Sequence, residues 1–480
     1  MNFTGSSEQW ANEIFSGCRL GDPRRNIRLI DMAKRLVRDP LGSLARVCKG
    51  DVAAREGAYR LIENKSVRSA DILAGVFEST AKGMKAEEVY LAIQDTTDVT
   101  FKNEETKHLK EQGNSHGFIA HSNLLVSTHN GFPVGLIDQK VWLRAPKELR
   151  PGKKTRGRRA FEEKESYKWA ESFLRMNQMV RNKENIITVC DREADIFELL
   201  HLYLSENHRF VIRAFADRQL AESDERLLET LRQQQPLMTR KVIVEQRGAQ
   251  KQIRGKQVWR PSRKGRAASV EIKACAVTLC VSSGIRKSRG LQPLQVNGVL
   301  IEEINAPEEV KPLSWLLLTT EPVTTAAEVE KVADYYRMRW QIEEFHKAWK
   351  SGCRLEERRL QKVDNFERMM AICAPIAVRL LQLQAIGRAK TPASCTEVLL
   401  PEEWQCLHTI VSPNEPMPET PPDTKWVYYS LAKLAGWTDS KRTGRVGWQT
   451  LWEGWHRLQF QLDGWRAAMK FLNMNRQMNN

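Results

Sequence analysis

The chain has 480 residues and nine cysteines, but no Cys-x-x-Cys pair. An odd, scattered set excludes a disulfide framework, and no spacing supports a structural zinc site. These thiols read as the reduced, partly buried thiols of a cytoplasmic protein. No apolar run approaches the roughly 18 residues needed to cross a bilayer, so no membrane span is expected. Residues Met1 to Glu8 carry neither a charged n-region nor an apolar h-region, so no export signal is expected. There is no internal repeat and no low-complexity tract. Acidic residues are in deficit, 59 against 75 Lys and Arg, which leaves a formal charge of +16. That excess points to a polyanionic partner, although a ribosomal or membrane surface would fit the charge equally well.

The positive charge is concentrated. Residues 240–289 hold fourteen Lys or Arg against Glu245 and Glu271, and residues 144–159 hold eight against Glu148. Two such patches suit a surface that tracks phosphates better than evenly solvated loops.

The patterning changes three times along the chain. Residues 1–68 read as helical. Asp22-Pro23 is a cap and first-turn pair that opens a helix bearing Arg24, Arg25 and Arg28, with Ile27, Leu29, Ile30, Ala33 and Leu36 as its core side. A second helix is expected over Asp51–Glu63. From about residue 86, strands are expected at Val89–Ile93, Ser122–Thr128 and Pro133–Trp142, the last two separated by the hairpin signal Asn130-Gly131. A helix over 163–182, a buried strand Ile186–Cys190, a helix Glu193–Ser205 and a strand Arg209–Arg213 follow. This order describes an α/β core with a mixed sheet. Residues 239–319 read as a β-rich insertion. Beyond about 365 the chain is helical again, with prolines 413, 416, 418, 421 and 422 marking a loop. The tryptophans near the end read as core or partner-helix contacts.

Three carboxylates carry the chemistry. Asp95 and Asp191 are each placed at the C-terminal end of a buried strand, where ligands collect in α/β sheets. The third is Glu343, within Tyr336–Lys350. At about 100° per residue, a continuous helix there puts Tyr336, Arg339, Glu343, Lys347 and Lys350 on one face. Tyr335, Met338, Ile342, Phe345 and Trp349 fall on the other. One carboxylate framed by cations suits a metal grip beside a phosphate grip. Acids from two strands and a helix could bind two Mg²⁺ about 4 Å apart. Each acid also has an ordinary reading, as a turn, a cap or an i,i+4 ion pair, and Asp98, Glu193, Asp195 and Glu344 are rival carboxylates.

The segments Ala92–Thr97, Cys190–Ile196 and Tyr336-x2-Arg339-x3-Glu343-x6-Lys350 resemble the motifs of DDE transposases of bacterial insertion sequences, in the subgroup with a Tyr-Arg-Glu-Lys signature. Further echoes lie at Leu20–Arg25, Glu56–Arg60, Trp315–Thr319, Ile342–Lys350, Asp439–Gly444 and Leu451–Trp455, so the resemblance covers most of the chain. It implies a ribonuclease H-like catalytic domain over 69–364, with the β-rich insertion between Asp191 and Glu343. It also implies a helical end-binding domain over 1–68 and a helical dimerisation domain over 365–480. On this resemblance the chain is a cut-and-paste transposase. Asp95, Asp191 and Glu343 hold Mg²⁺, with Mn²⁺ able to substitute, and DNA is cleaved through a hairpin intermediate. Arg24, Arg25, Arg28, Arg213, Tyr336, Arg339, Lys347 and Lys350 contact DNA. Trp315 receives a flipped base and Trp340 assists. The implied partners are transposon-end duplex, target DNA and a second copy of the chain. The implied location is the bacterial cytoplasm, on nucleoid DNA. Two rivals use the same features: a catalytically silent DNA-binding inhibitor, and a structure-selective nuclease on the same fold.

Overall fold

The computed structural model describes residues 6–100, 117–143, 159–221, 224–244, 265–281, 290–308, 310–389, 391–440 and 446–478. Most of both basic stretches lies outside the described residues: 144–158 of the first, and 245–264 and 282–289 of the second. The chain divides into two units. One comprises Met1–Asn185 with Trp340–Asn480, and the other Ile186–Arg339.

The first unit opens with helices α1 (Ser7–Phe15), α2 (Pro23–Arg38), α3 (Leu44–Val47), α4 (Val52–Glu63) and α5 (Ser69–Lys82). Their starts follow side-chain chemistry. Ser6 and Gln9 close a capping box on α1. Asp22 caps α2, with Pro23 in the first turn, and Asp51 caps α4. Leu29, Met32, Ala33, Leu36 and Val37 bury one side of α2. Ile27 was expected on that side but is 67% exposed, because it lies off the buried stripe.

An antiparallel three-stranded sheet follows, made of β1 (Tyr90–Thr100), β2 (Gly117–Ser127) and β3 (Pro133–Leu143). β1 and β2 pair from Tyr90 opposite Ser127 to Thr100 opposite Gly117. β2 is buried along its whole length. Asp95 is therefore not at a strand end, as the sequence pattern suggested. β1 continues five residues beyond it, because Thr96, Thr97, Val99 and Thr100 suit a strand as well as a turn and find partners on β2. Helix α6 (Lys168–Met179) is shorter than the expected 163–182 span. Two 3₁₀ turns, Phe161–Glu163 and Glu165–Tyr167, take up the residues before it.

The second unit contains β4 (Ile186–Cys190), α7 (Phe197–Ser205), β5 (Arg209–Arg213), α8 (Leu227–Gln233), β6 (Met238–Val244), β7 (Arg266–Leu279), β8 (Leu294–Ile304), β9 (Ser314–Thr319) and α9 (Ala326–Met338). α7 begins four residues later than expected, after a 3₁₀ turn at Arg192–Ala194. β4 and β5 are parallel, β9 pairs antiparallel with β5, and β8, β7 and β6 follow antiparallel. The β-rich stretch thus extends the β4–β5 sheet and is not a module apart. Arg209 on β5 donates from Nε to Glu321 Oε1 at 2.8 Å, just past β9, which fastens this seam.

The chain re-enters the first unit at α10 (Trp340–Lys347), then α11 (Val363–Gly387), α12 (Pro401–Val411), α13 (Thr424–Leu434) and α14 (Trp448–Met478). The segment expected as one helix over 336–350 is broken. α9 ends at Met338, α10 spans eight residues, and a π-helical turn occupies Ala348–Gly352. α11 is long and apolar enough to cross a membrane by length and composition, which the sequence reading did not anticipate. It is instead a core helix, with 89% of its apolar window buried, and it packs against α2, α4, α5, β3 and α13. Arg368 on α11 donates to the carbonyls of Val67 and Ile62, which joins the N-terminal helices to this core.

α13 and α14 approach so closely that a Cβ on Gly454 would stand 1.9 Å from the Leu431 carbonyl oxygen. Gly454→Ala is expected to cost about 1–3 kcal/mol by overpacking. Gly464 lies on the same helix with nothing within 4 Å. Gly464→Ala is expected to gain about 0.5–1 kcal/mol from lost backbone entropy in the unfolded chain. Urea midpoints of the two variants check both signs.

Candidate DNA-cleaving site

The candidate residues fall in both units. Asp95, Glu343, Lys347 and Lys350 belong to the first, and Asp191, Arg213, Trp315, Tyr336 and Arg339 to the second.

In the second unit, Asp191 follows the buried strand β4, as expected from the sequence. Its Oδ1 accepts the Glu193 N–H at 2.8 Å and caps the 3₁₀ turn. The rival Asp195 is fully consumed. Its side chain is entirely buried, pairs with Arg218, and accepts the N–H groups of Phe215 at 2.8 Å and Ala216 at 3.2 Å. Asp195 is thus part of the fold.

Tyr336 is buried, whereas the one-helix reading placed it on a polar face. The difference follows from the break after Met338, which leaves Tyr336 on α9 and packed within the second unit. Trp315 on β9 stands edge-on to it at 5.1 Å between ring centres, and the Arg339 guanidinium lies 6.0 Å from the Tyr336 ring. Burial raises the Tyr336 pKa, the charges of Arg339 and Arg213 and a hydrogen bond from Arg213 oppose this, and Asp191 adds to the rise. The phenol therefore stays protonated and available as a donor beside Asp191. Arg213 also donates to the Ser314 carbonyl at 3.0 Å, immediately before Trp315. Two arginines and a half-exposed indole thus gather about the Tyr336 phenol, which also feels the charge of Asp191, a set suited to phosphate and base contact.

In the first unit, Asp95 is half-buried and its Oδ1 accepts the Thr96 N–H at 2.8 Å. On the opposite pleat face, Thr96 and Gln94 hydrogen-bond the buried His121 at 3.0 and 3.1 Å. Burial depresses the His121 pKa far below the usual imidazole value, so the ring is neutral. α10 packs against β1 and β2 and carries Glu343, which is half-buried. Lys347 pairs with Glu344 at 3.3 Å and is exposed, and Trp340 is 42% exposed. Lys350 donates to Thr97 Oγ1 at 2.8 Å and to the Asp98 carbonyl at 3.2 Å.

Among the N-terminal cations, Arg24 is fully at the surface and pairs with Asp22. Arg28 is exposed and lies across Gly57 of α4, where a Cβ would meet its side chain at 3.8 Å. Arg25 turns inward and donates to the Leu20 carbonyl at 2.7 Å, so it fixes the turn before α2.

Among the described residues, no group of three or more His, Cys, Asp and Glu stands together as a metal cluster. The donor chemistry nonetheless fits a hard divalent cation. Asp95, Asp191 and Glu343 offer only carboxylate oxygens, and Asp95 and Asp191 each have an oxygen oriented by a backbone N–H.

Two family models match the chain. Residues 7–67 match the family described as Transposase DNA-binding, and residues 169–378 match the Transposase DDE domain. The chain carries both domains and is a DDE transposase. Asp191 and Glu343 lie inside the DDE match, and Asp95 lies before it. A solved piggyBac transposase synaptic complex with hairpin DNA is similar at 11% identity and a TM-score of 0.34, over 80% of this chain and 67% of that one.

Sequence reading passed over three neighbours of the candidate residues. Gln341 tethers α10 and Thr97 the π turn that follows it; Thr97 closes the Ala92–Thr97 segment without marking itself as a contact, and no motif marks Gln341. Phe215, two residues past Arg213, is 76% exposed although its N–H is held by a buried carboxylate. A large apolar residue two positions past a strand-end Arg was the available signal.

Asp195→Ala is expected to destabilise the protein by about 3–5 kcal/mol, because the half-buried Arg218 and the N–H groups of Phe215 and Ala216 lose the buried carboxylate that holds them. Asp191→Ala removes one capping bond and is expected to cost about 1 kcal/mol. Urea denaturation of both variants tests this division of labour.

Proposed function

We propose that the protein is a cut-and-paste DNA transposase. It binds its element's ends, pairs them, cleaves by metal-dependent phosphodiester hydrolysis through a hairpin on the element's end, and joins the 3′-OH ends to target DNA. The reading is carried by one observation: a transposase DNA-binding match and a transposase DDE match in the same chain, the second containing Asp191 and Glu343. By resemblance the chain is a bacterial insertion-sequence enzyme, similar to the transposase of the kanamycin-resistance transposon, transposon five. It would act in the cytoplasm on nucleoid DNA, from a ribonuclease H-like core.

Asp95, Asp191 and Glu343 would together hold Mg²⁺, or Mn²⁺ in its place. Divalent cations there supply the charge stabilisation that phosphodiester cleavage and transfer require. The protein's own groups do the rest. Arg213, Arg339 and Lys347 offset the repulsion between carboxylates and phosphate. Tyr336 keeps Arg213 and Arg339 in place and can donate to a phosphate oxygen. Trp315 would receive a base unstacked as the strand turns back into the hairpin, with Trp340 as a wedge. Unstacking costs a few kcal/mol, and an aromatic platform returns about 1–3 kcal/mol.

Arg24 and Arg28 are exposed on the N-terminal unit and would touch the element's end, with Arg25 holding their turn. Residues 1–68 would form the end-binding domain, 69–364 the catalytic domain and 365–480 the dimerisation domain. Pairing two ends calls for a homodimer. Phe460 and Phe471, 76% and 64% exposed, support α14 as the dimer contact. They lie eleven residues apart, about three turns, on one face.

Asp95→Asn, Asp191→Asn and Glu343→Gln are each expected to abolish nicking of an end duplex while leaving end binding intact in mobility-shift assays. Near wild-type nicking by any one of them removes that residue from the set. Strand transfer with pre-cleaved ends separates this reading from a silent inhibitor, which does neither step, and from a nuclease, which cuts but joins nothing.

Trp315→Ala is expected to slow hairpin formation far more than first-strand nicking, read by single-turnover gels and by 2-aminopurine at the flipped position. Equal slowing of both steps with a lowered melting temperature would make Trp315 a core residue only. A chain lacking residues 1–68 is expected to lose selection of the cognate end over random DNA.

A further inference from the structure

We propose that Ile27 and Val52 read the element's end by apolar contact with thymine methyl groups in the major groove. The proposal rests on the reading of the N-terminal helices as the end-binding domain. It adds base readout to the contacts that the arginines there would make.

Ile27 is 67% exposed, Val52 63% and Tyr59 39%. Among the described residues, no other large apolar side chain before Phe215 is left so open. All three fall within residues 7–67, the segment that matches a transposase DNA-binding family. A single exposed apolar residue needs no explanation, but three confined to a DNA-binding segment and framed by arginines point to a ligand.

Helix geometry sets that frame. α2 turns Arg24, Ile27 and Arg28 outward within about 100° of arc, and all three are exposed. On α4, Val52 and Tyr59 lie seven residues apart and about 20° from eclipsed, with Arg55 exposed between them. Glu56, on the same side, pairs with Arg60 at 3.7 Å, which offsets its charge.

The two helices are fastened to each other. Arg35 of α2 donates to Asp51 Oδ2 at 2.8 Å, and Asp51 Oδ1 accepts the Ala54 N–H at 2.9 Å to cap α4. The end of α4 that carries Val52 is thus held to α2. Arg28, next to Ile27, reaches Gly57 of α4, so the open faces of the two helices adjoin.

Ile and Val carry no donor or acceptor, so neither can hold a phosphate or a polar base edge. What they can meet is the thymine C5 methyl, which lies in the major groove. The arginines on either side suit the flanking phosphates. A β-branched side chain on a helix keeps nearly one χ1 rotamer, so the contact costs little ordering.

The test uses the full-length protein and a cognate end duplex without metal, in competition mobility shifts at fixed salt. Each thymine of the end is replaced in turn by deoxyuridine, which lacks only the methyl. Wild type, Ile27→Ala, Val52→Ala and Ile27→Val are compared, and their melting temperatures are measured.

At two or more positions, deoxyuridine is expected to weaken wild-type binding by about fourfold, the worth of one buried CH₂ group. Ile27→Ala is expected to bind the unmodified end at least as weakly as wild type binds the substituted one, and to ignore the swap at one of these positions. Val52→Ala is expected to ignore it at another. Ile27→Val is expected to keep part of the sensitivity. Affinity for random duplex, the salt slope and the melting temperature are expected to match wild type. Wild-type indifference to every swap would overturn the proposal, and so would alanine variants as sensitive as wild type. Equal weakening on cognate and random duplex would overturn it too, since no base is then read. A chain lacking residues 1–68 that still selects the cognate end would defeat the end-domain reading instead, whatever the deoxyuridine scan shows.

Discussion

The eleven-residue antiparallel pairing of β1 with β2 is the constraint on which the first unit depends. It runs from Tyr90 opposite Ser127 to Thr100 opposite Gly117, and β2 is buried throughout. A one-residue slip would turn every side chain of β1 to the other face and exchange Asp95 with Thr96. The slip is opposed from both faces. On one, neutral His121 bonds Thr96 and Gln94; on the other, Lys350 bonds Thr97. The frame fixes the direction in which Asp95 leaves the strand.

The second unit solves a related problem with different means. Asp191 leaves a strand whose five residues are all buried, and its carboxylate is turned by the cap it makes. Four residues on, Asp195 shows the opposite fate of a carboxylate, paired with Arg218 and sealed from solvent. Tyr336 is the pivot of the remaining groups. It is buried, in contact with Trp315 and near both Arg213 and Arg339, so a single side chain sets three others. Burial keeps the phenol neutral against the pull of two guanidinium groups, while Arg339 lies over its ring and Arg213 hydrogen-bonds it.

Much of the local structure was legible because it depends on neighbours in sequence. The caps at Asp22 and Asp51, the Asn130-Gly131 turn, and the strands Ile186–Cys190 and Arg209–Arg213 all follow from short-range rules. The errors arose where tertiary contacts overrode those rules. β1 outran its hydrophobic run because β2 supplied partners. Residues 336–350, with an apparently continuous amphipathic pattern, broke after Met338. Ile27 was left at the surface, and α11 shows that a helix composed like a membrane span can be the buried centre of a folded core.

The sequence by itself determined the inventory and the short-range order. It contains three acids in segments that resemble motifs of DDE transposases, a basic excess suited to a polyanion, and an N-terminal helical segment with the caps that start its helices. Those features are composition and short-range order, and they survive in any arrangement of the chain. Only the tertiary structure decided which polar groups serve the fold. It committed Asp195 to Arg218, Arg25 to the Leu20 carbonyl and Lys350 to β1. Each decision is a hydrogen bond or ion pair whose partner is fixed by three-dimensional packing. For Asp195 and Lys350 that partner lies 23 or more residues away, and a side chain's role depends on what it meets there.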